Sequence, residues 1–276
     1  MKTAVYLILS ALLLTSCTEV IDFDLNDSQT RIVIEGEITN EQKAHEIRVT
    51  ESTSYYYSEE PPAVSGATVT ISDGANTFVL TEVDTLPGVY RTEPTVEGKL
   101  GERYTLNVTY DNQTYTAVDT MRGVVDMESV FVVPVEDTLF TTDTFYWIIM
   151  FGQENPGLGD HYVWDYYLNG VLQTEPLVEK AFGRDDFVDG ASPSEGWPVF
   201  NNIPYDAFEV GDSISLEIRS VSGEYFDFII ESLLNTAFRG GFFDGPPANV
   251  SSNIDNGAIG FFRASAVSRK KTRVFF

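Results

Sequence analysis

The sequence predicts an all-β (mainly β) chain: an N-terminal immunoglobulin-like or transthyretin-like β-sandwich, then a second β-rich domain carrying one helix. Three observations carry that prediction. Apolar and polar residues alternate with a period of two through many short runs, which puts one set of side chains on a core face and the other in water. Turn-forming pairs separate these runs at near-regular spacing. Only one stretch has its apolar residues on the stripe expected of a helix.

The first element is not part of the fold. Lys2 gives a positive start, Ala4 to Leu14 form an uncharged and mostly apolar run, and Leu14-Thr15-Ser16-Cys17 closes it. A bilayer-spanning helix needs about 20 apolar residues, so this shorter run predicts a signal peptide and not an anchor. An ordinary secretory signal ends in small residues of the A-x-A kind. Here a Leu, two small residues and the only Cys of the chain make the lipobox pattern of bacterial lipoproteins. Residues 1–16 are expected to be removed and the Cys17 thiol to be acylated, which hangs the body from a membrane by lipid. Residues 17–29, with Glu19, Asp22, Asp24 and Asp27, form an acidic tether. They lack the Gly and the Glu that an EF-hand loop requires.

Residues 30–122 hold the first set of strands. Ile32 and Ile34 open it, closing at Glu35-Gly36; His45, Ile47 and Val49 follow, then Ala67, Val69 and Ile71, then Tyr104, Leu106, Val108 and Tyr110. Pro61-Pro62, Asp73-Gly74, Pro87-Gly88, Glu97-Gly98 and Asp111-Asn112 mark the turns between them. No Cys…Trp…Cys set is present, so a true immunoglobulin domain is excluded. Met121 to Asp126 read as a linker.

The second domain spans residues 123–276. Phe145 to Met150 form a nearly continuous apolar run, expected to be a strand buried on both faces. Tyr162, Trp164, Tyr166 and Leu168 share one face of the next strand, and Asn169-Gly170 is a strong hairpin signal. Residues 176–206 break the rhythm and are expected to be a long loop. Ile214, Leu216 and Ile218 make another strand. A helix follows from about 224 to 238, with Phe226, Ile229, Ile230, Leu233, Leu234 and Ala237 on its stripe. Ser222 can cap it, Glu224 and Asp227 suit its positive end and Arg239 its negative end, and Gly240-Gly241 stop it. The chain closes with a strand-like segment whose apolar end, Val274-Phe275-Phe276, is expected to be paired.

Composition narrows the function. The chain has 17 basic and 42 acidic residues; removing residues 1–16 takes away Lys2 and no acid, moving the net charge from −25 to −26. That field repels nucleic acid and anionic lipid surfaces. With Cys17 acylated no disulfide can form, and no second apolar run is long enough to cross a membrane. Catalytic sets are missing. His45-Glu46 has Val49 where a zinc protease needs its second His, and His161 has no sequence partner. No phosphate-binding loop, nucleophile elbow or C-x-x-C motif occurs. No enzyme activity, metal or cofactor is expected. Two segments can bind a ligand or partner: the Tyr55-Tyr56-Tyr57 loop, because exposed tyrosines give contact area at low entropy cost, and the 183–206 loop, where Asp185, Asp186 and Trp197 suit a cationic or sugar-like ligand or a docking protein.

Several segments together resemble a known family. They are Ile32-Val33-Ile34-Glu35-Gly36, Val64 to Asp73, Gly88-Val89-Tyr90, Gly101 to Val108 and, most specific, the run from Pro246-Pro247-Ala248-Asn249 to Gly260-Phe261-Phe262. In this order they resemble the domain of unknown function 4249 family, lipoproteins of Bacteroidota, over nearly all of the mature chain apart from 176–206. The resemblance implies an outer-membrane lipoprotein, facing the exterior, that partners a TonB-dependent receptor in nutrient uptake. It brings no catalytic residues. The C-terminal run makes sense as a buried turn, in which Asn side chains cap backbone groups and Gly257 and Gly260 permit unusual φ or close packing. The expected function is therefore binding or accessory work beside a TonB-dependent transporter. A structural or adhesive surface protein is the alternative, with a surface glycoside hydrolase behind both. A flat exposed patch formed by the 183–206 loop and the tyrosine loop, rather than a lined pocket, favours adhesion.

Overall fold

Alternation along the chain becomes sixteen strands in the computed structural model, which describes residues 30–53, 60–136, 144–236 and 250–276. Cys17, the tether, the Tyr55-Tyr56-Tyr57 loop and residues 237–249 lie outside those residues. Seven strands come first: β1 (Ile32–Thr39), β2 (Glu46–Glu51), β3 (Thr68–Ser72), β4 (Thr77–Val83), β5 (Leu86–Arg91), β6 (Arg103–Tyr110) and β7 (Gln113–Thr120). Next are β8 (Ser129–Glu136), β9 (Thr144–Phe151), β10 (His161–Leu168), β11 (Val171–Leu172), β12 (Ala181–Arg184), β13 (Trp197–Pro204) and β14 (Ser213–Val221). Helix α1 (Gly223–Thr236), β15 (Ile259–Ser265) and β16 (Val267–Arg273) complete the set.

The first sheet runs β15-β1-β2-β5-β4-β3-β6-β7. β4 is its corner: Thr77 to Leu80 pair with β3, Thr81 to Val83 with β5, and the register shifts between Glu82 and Val83. A bulge of this kind bends a strand and lets it serve two faces. The two faces enclose one core, with Ile34, Ile47, Val69, Tyr90, Leu106 and Phe262 buried in it. The sheet is not built from residues 30–122 alone. β15 runs parallel to β1 and packs against β7 at the far edge, so the sheet nearly closes on itself. Alternation marks a residue run as a strand but says nothing about which sheet it joins.

The C-terminal run seals this seam. Asn253 clamps the backbone of Phe262, its Nδ2 donating to the carbonyl at 2.6 Å and its Oδ1 accepting from the N–H at 3.0 Å. Asn256 Nδ2 donates to Thr114 O at 2.7 Å, and Asp255 Oδ1 accepts from Thr116 N at 2.6 Å. Side chains thus replace ladder bonds along the edge of β7, as the sequence leads one to expect of this run. At Gly260, φ is +101° and a Cβ would lie 2.2 Å from Ile34 O, so only glycine fits.

In the second half, β13-β9-β8 faces the five-stranded sheet β11-β10-β14-β16, with β12 also on β10. Val130, Ile148, Phe200, Ile214, Leu216 and Ile218 fill the space between them. Three expectations change here. Residues 176–206 hold β12 and β13 rather than one long loop; both are short, and neighbouring Gly, Pro and Asn obscure their pattern. β9 buries one face deeply, through Tyr146, Ile148 and Met150, and leaves Phe145, Trp147 and Ile149 half-buried. The ladder ends at Arg273 and backbone pairing at Val274, which is buried and bonded to Gly211 and Asp212, whereas Phe275 and Phe276 are exposed. Helix α1 sits where expected within the described residues, burying Phe226, Ile229 and Leu233, with the Ser222 hydroxyl accepting from Tyr225 N at 3.3 Å. No described helix is long and apolar enough to cross a membrane.

Charged residues join the two halves. Arg219 on β14 donates to Asp165 at 2.8 Å, pairs with Glu217 and lies 3.7 Å from Glu37 on β1. Arg263 on β15 donates to Glu37 at 2.8 Å, and Arg269 pairs with both Glu217 and Glu41.

Candidate functional site: an aromatic slot between two sheet edges

On one side of the second sandwich β8 lies beside β16; on the other, β12 and β13 are edge strands of different sheets. Between β12 and β13 is a cavity of about 290 Å³. All four residues of β12 line it, as do Trp197, Pro198 and Val199 of β13. Strand side chains alternate, so consecutive residues line one space only where the strand turns its edge to it. The cavity is therefore a slot between two sheet edges. Four aromatic residues border it: Tyr162, Trp164, Phe182 and Trp197.

Local chemistry sets these rings. Gly196, at φ +74°, passes so close to β9 that a Cβ would stand 2.6 Å from Ile149 Cγ2. That close approach brings Trp197 against the sheet, where its Nε1 donates to Gly152 O at 3.2 Å. Tyr162 and Trp164 alternate on β10, their ring centroids 5.8 Å apart. Trp164 Nε1 is buried and has no hydrogen-bond partner among the described residues. Ala181 is opposite Trp164 in the strand pair, and the indole also lies against Gly183, the partner of Tyr162, where a Cβ would meet its ring at 3.4 Å.

A carboxylate clasp stands beside the slot. Glu154, Asp160 and Asp185 each place an oxygen within 4.8 Å of the others. Tyr162 Oη lies 2.8 Å from Glu154 Oε1 and 3.2 Å from Asp160 Oδ2, so its single proton is shared between them. Gly190 N donates to Glu154 Oε2 at 2.6 Å, and Gly159 N donates to both oxygens of Asp185 at 3.0 and 2.9 Å. Burial raises the Asp160 pKa, opposed by the Tyr162 hydrogen bond and reinforced by the charge of Asp185. Burial, then the bond to Glu154, also pushes the Tyr162 phenol up, which keeps its proton in place. Three such oxygens are the type that a hard cation takes, and the donors already on them tie the 154–160 turn to the 185–190 turn.

The expected binding residues thus take different roles. Trp197 lines the slot. Asp185 is buried in the clasp, and Asp186 is exposed, paired with Arg184 at 2.6 Å. Tyr162, Trp164, Phe182 and Glu154 escaped the sequence reading as site residues; the Tyr162-Trp164 alternation was visible, but only as one face of a strand. His45 is buried, its Nδ1 accepting from Thr39 N at 3.3 Å and its Nε2 donating to Val96 O at 3.2 Å, with burial lowering its pKa. It staples a loop and is not a metal ligand of the His-Glu kind. His161 Nδ1 donates to Gly159 O at 3.0 Å, and its ring packs on Phe226.

Fold and site together define a mainly β protein whose second sandwich opens into an aromatic-walled slot. The chain belongs to the domain of unknown function DUF4249 family, whose model matches residues 18–271. Among curated proteins none matches the chain. Among solved structures, the three N-terminal domains of the bacteriophage RB49 highly immunogenic outer capsid protein (Hoc) are similar at 12% identity over 89% of this chain and 70% of that one, with a TM-score of 0.21. At that score no shared fold follows.

Proposed function

We propose that the chain is a surface-exposed outer-membrane lipoprotein of the Bacteroidota type, anchored through Cys17. It acts as a binding or accessory partner of a TonB-dependent transporter in nutrient uptake. The Leu14-Thr15-Ser16-Cys17 lipobox supports the anchor, and the family resemblance supports the transporter. The observation that carries binding over adhesion is the slot itself: the 181–199 segment lines a pocket with Tyr162 and Trp164 instead of forming a flat patch. The role is binding rather than catalysis. Glu154, the carboxylate in the slot wall, has one oxygen held by Tyr162 and the other by Gly190.

The test is an affinity pull-down of the tagged full-length protein from gently solubilised outer membranes, read by mass spectrometry. One TonB-dependent barrel recovered in comparable amount is the expected result. Recovery of the lipoprotein alone would remove the transporter role and bring the adhesive reading forward. Cys17→Ala should move the protein into the soluble fraction, and a variant that stays in the membrane would exclude the lipid anchor.

A further inference from the structure

We propose that the slot between β12 and β13 binds a quaternary, N-alkylated ammonium group. Four aromatic residues border the cavity, and among the described residues Glu154 is the one acidic group in its wall. A cation near aromatic faces is attracted by the ring quadrupoles, most strongly where water is excluded. Glu154 adds a carboxylate with Asp160 and Asp185 close behind it, in a chain of net charge −25.

Counting polar groups separates the ligand classes. Besides Glu154 and Arg184, the wall is apolar or aromatic; the Tyr162 hydroxyl and Trp197 Nε1 are already engaged, and Trp164 Nε1 is the one ring donor of the wall without a partner among the described residues. Trp164 Nε1 could serve one hydroxyl of a sugar, but the others would be buried with few partners, each costing roughly 1–3 kcal/mol. A primary ammonium carries three donors that need acceptors. An alkylated ammonium requires none, and its methyl groups match an apolar wall. A volume of about 290 Å³ suits a head group of choline size. Arg184 is the one opposing charge; it is more than half exposed and held by Asp186, which keeps it from neutralising the slot.

The inference rests on the slot being a binding pocket, and its test needs no transporter, so its failure would leave the pull-down result standing. Two of the three tryptophans, Trp164 and Trp197, line the slot, so intrinsic fluorescence reports occupancy. The full-length protein is titrated with choline and, separately, with 3,3-dimethyl-1-butanol, its neutral isostere. A saturable choline response with the isostere at least about tenfold weaker is expected, a difference of about 1.4 kcal/mol. Equal binding of the two would show a merely apolar pocket and overturn the proposal, as would no response to choline or a response to glucose alone. Because the isostere changes the ligand and not the protein, this comparison holds whether or not a variant folds. Trp197→Leu should weaken choline several-fold and Arg184→Ala should strengthen it; the reverse order would also overturn the assignment.

Discussion

Glu37 is a single carboxylate that faces Arg263 at 2.8 Å and Arg219 at 3.7 Å. Burial alone would raise its pKa, but the charges of Arg263 and Arg219 outweigh burial and hold it at about 2, against 4.5 unperturbed. A carboxylate with a depressed folded pKa contributes stability that is complete above its unfolded pKa and is lost as pH falls through the folded one. The window is therefore from about pH 4.5 down to about pH 2. The shift corresponds to about 3 kcal/mol. Glu37→Gln should cost about that much at pH 7, since it leaves two guanidinium groups without their counter-charge. The gap to the parent protein should shrink steadily below pH 4.5. Urea unfolding at pH 7 and pH 3 measures both; a gap that stays constant would mean that Glu37 acts by packing and not by charge. Nothing local in Ile34-Glu35-Gly36-Glu37 announces this role, because its partners lie some 180 and 226 residues further along the chain.

At the scale of elements, what was legible in the sequence follows from what is local. Strands β2, β3 and β6 stand out because each alternates against one core, β1 and β14 because their Ile and Leu residues recur at every second position, and α1 because its stripe and cap are contiguous. β12 and β13 did not, since four residues of Ala-Phe-Gly-Arg and a run broken by Pro198, Asn201 and Asn202 carry no period. Their strand character comes from the neighbours, β10 and β9, and that is why most of the slot was hidden while Trp197 was not. The C-terminal run is a partial counter-case: its Asn and Gly pattern pointed to a buried turn, and the structure gives Asn253, Asp255 and Asn256 specific backbone bonds, but Asp255, Asn256 and Gly257 are exposed. Gly260 tests that element. With φ at +101° and Ile34 O 2.2 Å from where a Cβ would be, Gly260→Ala must push β15 off β1. A loss of about 3 kcal/mol is expected from the backbone strain and the displaced ladder. A near-neutral melting temperature would show that β15 is not the strand closing that edge.

For the whole molecule, the decisive fact is that the chain returns to where it began. β15 supplies the partner for β1 and packs on β7, and β16 follows directly into the second sandwich beside β14. The Asn256–Thr114 and Asp255–Thr116 bonds and the ion pairs of Glu37 with Arg219 and Arg263 cross between the halves. The first half does not own all of its core: Phe262 and Ala264 are buried in it, more than 130 residues of chain after β7 ends. Removing β15 would expose the row of N–H and C=O groups on β1 and open the core beneath it, which a marginal stability of 5–15 kcal/mol does not tolerate. A fragment of residues 30–122 is therefore expected to lack cooperative unfolding, while residues 30–276 melt in one transition. Circular dichroism on heating decides it. If the fragment melts cooperatively near the temperature of the longer chain, the first sheet is self-sufficient and β15 merely decorates it. If it does not, then any partner bound at the slot feels the first sheet as well, because β16, which follows β15 after Ala266, holds the five-stranded sheet that carries Trp164.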